Sequence, residues 1–130
     1  MPVLVSLPRV ADLMQPFLMR TYDAQIGCWL FVRDLLSAGG FIAADTTQRD
    51  LIPHLAEVWV RGDAGDVLTL TQPWDLWLMH RGTSRVVTHV GLVADQERLA
   101  HQVGTAGPCL ELLRRRRPVL FQVARLRELL

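Results

Sequence analysis

Lysine is absent from this chain of 130 residues, so all 14 of its basic side chains are arginines. Against 13 carboxylates they leave a formal charge of +1, which gives no reason to expect nucleic acid as a partner. Cysteine is scarce. Two are too few for a disulfide scaffold or a thiolate metal site, and synthesis in a reducing cytoplasm is the simpler expectation. Long apolar runs are missing as well. Although 50% of the residues are hydrophobic, no stretch reaches the roughly 18 apolar residues that a membrane helix needs. The opening Met1 to Pro8 has no basic start and is interrupted by Pro8, so no signal peptide is expected. No internal repeat, low-complexity tract or linker divides the chain. Residues 1–130 therefore read as a single domain, large enough to bury a core without disulfides or metal.

What is present begins with a helix. Cys28, Phe31, Val32 and Leu35 fall at i, i+3, i+4 and i+7, one helical stripe. Gly27 stands before the cysteine and Gly39-Gly40 follow, which predicts a helix opening near Cys28 and stopping near Ser37. A thiol in a first helical turn feels unpaired N–H groups and the positive end of the helix dipole, both of which favour the thiolate. Taken alone, Cys28 reads as a small core hydrophobe. The residues downstream change that.

Val10, Leu13, Met14, Phe17 and Leu18 predict a helix within Arg9 to Arg20, bent or shortened by Pro16. Leu51, Leu55, Val58 and Trp59 predict a short helix over Leu51 to Val60, with Pro53 in its first turn. A turn cluster over Arg61 to Asp66 follows, and then the period changes. Strands are expected at Val67 to Leu70, Arg85 to Val93, Arg98 to Val103 and Val119 to Val123. Thr71 to Ser84 reads as a loop or as a loop with one more strand through Trp77-Leu78-Met79, and Ala124 to Leu130 as a short terminal helix. Helices first and strands afterwards imply an α+β fold, with N-terminal helices packed on an antiparallel sheet.

The strands around His89 and His101 flank the polar turn Asp95-Gln96-Glu97. If they form a hairpin with odd positions paired to odd, both histidines lie on one face, with Val87, Gly91, Val93, Leu99 and Val103. Their Cβ atoms then stand about 5 Å apart if opposite, or roughly 7–8 Å if diagonal. That face is apolar, so it is expected to pack on the cysteine helix, with Gly91 leaving room. Each histidine alone reads equally well as a core residue bonded to a carbonyl. Together, facing a cysteine, they fit a nucleophile, a base that takes its proton and a group that orients the base. Zinc, the competing use of Cys and His, lacks its usual paired spacing here, so neither metal nor cofactor is assigned.

The order of these features carries a family likeness. A cysteine at a helix start, Gly-Asp-Val-Leu at Gly65 to Leu68, His-Val-Gly-Leu at His89 to Leu92 and a polar residue on the next strand resemble the NlpC-type cysteine peptidases. These are papain-like enzymes that cut peptide stems of bacterial cell walls. Cys28-Trp29, Val32-Arg33 and His101 to Gly104 through Cys109-Leu110-Glu111 look most like the small members in phage and prophage tail-assembly modules. The likeness spans roughly Tyr22 to Phe121. It implies Cys28 as nucleophile, His89 as general base and His101 as orienting residue, acting on the bond between D-glutamate and the diamino acid of peptidoglycan. Tyr22 matches the tyrosine that the family often places ahead of the cysteine, near the thiolate, and with Trp74 it is assigned to substrate binding. The partners implied are peptidoglycan peptides and other phage tail proteins, with a location in the virion tail. The rival is a tail-assembly protein that keeps the fold without the reaction. Two positions depart from the pattern: Gly27 stands where the family usually has Asp, and Leu30 where phage members commonly have Gly.

Trp59, Trp74 and Trp77 are candidates to line a groove for the peptide stem, Trp74 being assigned to substrate binding, with core packing as the default for at least one. Arg114 to Arg117 reads as a solvated connection, or else as contact with an anionic surface. Cys109 is read as structural, and His54 and His80 receive no role.

Overall fold

In the computed structural model, residues 7–23, 25–61, 71–80, 86–95, 97–104, 106–112 and 120–130 are described. The expected strand at Val67 to Leu70, the Gly65 to Leu68 motif and the Arg114 to Arg117 block lie outside them, as does the turn cluster beyond Arg61.

The N-terminal part holds three helices: α1 (Val10–Leu13), α2 (Gly27–Ala38) and α3 (Gln48–Leu51). Pro16 falls in a 3-10 turn, Gln15–Phe17, directly after α1, so the single helix expected over this stretch is cut short. At the start of α2, Asp23 organises the approach. Its Oδ1 accepts from the N–H groups of Gln25 (2.7 Å) and Ile26 (3.2 Å), and its carbonyl accepts from Gly27 N–H. At the other end, Gly40 adopts φ +82°, the left-handed conformation that closes a helix. Gly40 N–H then donates to the Ser37 carbonyl and Phe41 N–H to the Leu36 carbonyl, the paired bonds of a Schellman motif. The glycines after the stripe do what their position predicts.

Six strands follow: β1 (Leu55–Arg61), β2 (Leu76–His80), β3 (Val87–Val93), β4 (Arg98–Val103), β5 (Gly107–Leu112) and β6 (Leu120–Leu126). They form one antiparallel sheet in the order β1-β6-β2-β3-β4-β5. The α+β class with an antiparallel sheet is therefore as expected, while three element assignments need correction. Leu51 to Val60 is a helix only as far as a 3-10 turn at Ile52–His54, after which β1 begins. The apolar spacing there fits a helix, but pairing with β6 decides the outcome. The terminal helix is likewise a strand up to Leu126, because β6 lies between β1 and β2 and is hydrogen-bonded on both sides. Only Arg127–Leu129 turns, as a 3-10 helix. Finally, β5 is not among the expected strands, and its first residues, Gly107-Pro108, are of types that strands disfavour.

The sheet divides the core in two. On one face α2 brings Phe31, Val32, Leu35 and Leu36 against Leu76, Val90, Leu92, Ala100 and Ala124. On the other, Trp77, Met79, Val93, Leu99 and Val123 make a smaller cluster. An ion pair fixes the strand ends. Fully buried Asp75, just before β2, receives Arg125 Nε at 2.8 Å and Nη2 at 2.9 Å from β6. No helix among the described residues is long and apolar enough to cross a membrane.

Candidate active site

Cys28 is the second residue of α2, in the first turn as the sequence predicts, and is partly exposed. Trp29, Phe31, Val32 and Leu35 beyond it are buried. The glycine before it is dictated by packing. A Cβ on Gly27 would stand 2.7 Å from Tyr22 Cβ and 3.3 Å from the Tyr22 carbonyl carbon. An aspartate here would have to push the Tyr22 segment away.

The histidines come from the β3–β4 hairpin. Its turn is held by Asp95, whose Oδ1 accepts from the N–H groups of Glu97 and Arg98, each at 2.9 Å, and whose Oδ2 accepts from Arg98 Nε at 2.7 Å. Leu92 pairs with Ala100 and Val93 with Leu99. Continued along the strands, that register sets Gly91 opposite His101 and leaves His89 one step diagonal, odd facing odd. The rings meet edge to face, with His89 Nε2 and His101 Nδ1 2.8 Å apart. His101 is fully buried, and its other nitrogen, Nε2, lies 3.7 Å from Glu111 Oε2 on β5.

The face on which the histidines sit is a correction. Residues directly opposite in a ladder share a face. His89 is opposite Met79, which belongs to the smaller cluster. The odd positions thus point away from α2, and the even positions Val90, Leu92 and Ala100 pack beneath it. Sequence alternation leaves this choice open because both parities of β3 are largely apolar. What joins helix and histidine is a cavity of about 230 Å³ at the start of β3. It is lined by Cys28 and Trp29 of α2, Leu76 and Leu78 of β2, and Thr88 and His89 of β3, among others. A bulge lies at this point: Met79 pairs with His89 but His80 with Val87, which leaves Thr88 as the extra residue. A bulge bends and twists a strand and re-aims its side chains. This accounts for a residue of the far face reaching a cavity on the helix side. Among the described residues the Cys28 thiol makes no hydrogen bond, so thiol and imidazole share a wall rather than a bond.

The two residues assigned to substrate binding lie elsewhere. Trp74 is a core residue and not part of a groove: it is fully buried, its ring packs on Phe41 at 4.8 Å, and its Nε1 donates to the Pro8 carbonyl at 2.9 Å. It also adopts φ +78°, unusual for a bulky side chain, which the surrounding core has to hold in place. Trp77 is fully buried in the smaller cluster. Tyr22 packs edge-on against Phe31, and its hydroxyl donates to Asp34 Oδ2 at 2.6 Å. Burial, and then that carboxylate, push its phenol well above the ordinary range. Its hydroxyl is thus committed to the second turn of α2 and not offered to the thiol.

Glu111 is the site residue that the sequence alone does not reveal. The signal for it is parity: once β5 is paired to β4, with His101 opposite Cys109 and Leu99 opposite Glu111, both β5 residues share the histidine face. A larger cavity, about 270 Å³ beside Leu7, Pro8, Gln72 and Arg98, contains neither cysteine nor histidine. Among the described residues no group of three or more His, Cys, Asp or Glu is placed to hold a metal. No protein-family model matches the chain, and no curated protein matches it either.

Proposed function

We propose that this chain is a papain-like cysteine peptidase that hydrolyses an amide bond in peptidoglycan stem peptides, in the setting of a phage or prophage tail. One observation carries the reading: His89, in 2.8 Å contact with His101, lines the same cavity as Cys28 at the helix start. In the mechanism, His89 takes the thiol proton, and the Cys28 sulfur attacks the amide carbon to give a tetrahedral oxyanion. The oxyanion accepts from the Cys28 backbone N–H at the open end of α2. His89 then protonates the leaving amine, an acyl-enzyme forms, and water activated by the same imidazole releases the acid. His101 holds His89 in one orientation and tautomer. The choice of wall peptide rests on the resemblance of the Cys-His-His order to NlpC-type enzymes.

A second reading has its own support. The histidines project by register from the face away from α2, and no hydrogen bond joins thiol to imidazole among the described residues. That is what a tail-assembly protein with the fold and without the reaction would present. A zymogram on purified peptidoglycan separates the two. Clearing by the wild type and not by Cys28→Ala selects the peptidase, and clearing by neither selects the assembly protein. Equal clearing by both moves the nucleophile away from Cys28.

A further inference from the structure

Two neutral imidazoles carry one N–H each, and when one hydrogen bond joins them its hydrogen can belong to either ring, each choice fixing the tautomer of both. In the first arrangement His89 Nε2–H donates to a lone pair on His101 Nδ1. His89 Nδ1 is then an acceptor, able to take a proton from a thiol. In the second, His101 Nδ1–H donates to His89 Nε2. His89 Nδ1 then carries a hydrogen and cannot act as a base. Catalysis by His89 therefore requires the first arrangement, and the 2.8 Å separation by itself permits both.

The atom that decides lies on the next strand. In the second arrangement, His101 Nε2 would hold a lone pair 3.7 Å from the Glu111 carboxylate, on a ring with no exposure to water. A lone pair beside an anion there is repelled, and water, which reaches only the Glu111 end, screens it incompletely. In the first arrangement the same nitrogen bears a hydrogen and is drawn to the carboxylate. Glu111 is itself only about one-third exposed, its side chain at 34%, so the carboxylate keeps partial contact with water while reaching the buried ring. A carboxylate can only accept, which gives the row of groups a fixed direction.

We infer that Glu111 is a positioning residue: through His101 it fixes the direction of the His89–His101 hydrogen bond and so leaves His89 Nδ1 as the base. The inference rests on the peptidase reading for its purpose, but the direction of the bond is measurable without turnover. When His89 is protonated during the reaction, the same carboxylate stabilises the cation from two rings away. It neither touches substrate nor moves a proton.

The test is long-range ¹H–¹⁵N NMR of the full chain with labelled imidazoles, at a pH where the pair is neutral. The expected spectrum has hydrogen on Nε2 of both rings and an unprotonated Nδ1 on both. Hydrogen on His101 Nδ1 in the wild type overturns the inference whatever the enzyme does. Glu111→Gln keeps the shape and removes the charge. It is expected to shift part of the population to the opposite direction. It should also lower kcat by on the order of ten- to a hundredfold with KM little changed, the scale for a residue that holds an imidazole from outside. An unchanged tautomer in Glu111→Gln overturns the inference too. Expected tautomers in a wild type that clears no peptidoglycan leave the inference standing and overturn the peptidase reading instead.

Discussion

Under α2 the sheet presents Leu76, Val90, Leu92 and Ala100, an apolar surface closed by the helix, with buried Gln102 beside the helix start. Its other face sets His89, His101, Cys109 and Glu111 beside Trp77, Met79, Val93, Leu99 and Val123. The strands are the same, and alternation alone separates the two sets. The first face is the larger core. The second surrounds ionisable groups with apolar side chains, which raises the strength of each contact among them. Cys28 belongs to the margin of the first face and His89 to the second, so the proposed chemistry depends on the one cavity that both reach.

The largest expected effect separates chemistry from packing. His89→Ala should lower turnover by about 10²–10⁴-fold, the usual contribution of a general base, while the protein stays folded. His101→Gln should retain part of the activity, since an amide can still hold the ring. Activity in His89→Ala together with a dead His101→Gln would exchange the two roles. Next comes the contrast between the cores. Phe31→Ala beneath α2 should cost about 3–5 kcal/mol in urea unfolding, and Met79→Ala on the other face about 2, because it belongs to the smaller cluster and its unbranched side chain packs adaptably. Equal losses would make the far face as much a core as the near one.

A third experiment asks which face owns the reactive thiol. Limiting iodoacetamide at about pH 6, below the ordinary thiol value near 8.5, should label Cys28 before Cys109, and His89→Ala should slow it. Peptide mapping reads the order directly. Cys109 reacting first would put the nucleophile on the histidine face, directly opposite His101. The smallest effect is spectroscopic. The chain has one tyrosine, so ultraviolet absorbance follows Tyr22 alone as pH rises. Its pKa is raised in the folded protein, first by burial and then by Asp34. Its contribution to stability is therefore complete below the ordinary value of about 10 and is lost as pH climbs through the folded value. Ionisation at the ordinary value would show that the Tyr22–Asp34 bond does not persist in solution.

Much of this arrangement is legible in the sequence because local signals agree. The stripe from Cys28 and the two glycines after it bound α2, and Asp95 marks the turn that brings His89 and His101 together. What is not legible depends on distant partners. Leu55, Val58 and Trp59 fit a helix until β6 claims them, and Gly107-Pro108 hides β5 until β4 is seen beside it. The choice of face is hidden for another reason. With Val90 and Leu92 at even positions and Val87 and Val93 at odd ones, β3 reads as acceptable to α2 either way round, and only the assembled sheet decides.

Gly27 and Tyr22 also constrain how this chain can change. Because a side chain at position 27 collides with Tyr22 Cβ and its backbone, an aspartate there is not reached by one substitution alone. Gly27→Asp alone should be harmful, and the same change after the Tyr22 segment has been rebuilt should be tolerated. The two sites form an epistatic pair in which the order of mutation matters. With the Tyr22 backbone already seated against the helix start, any side chain at position 27 has to come second.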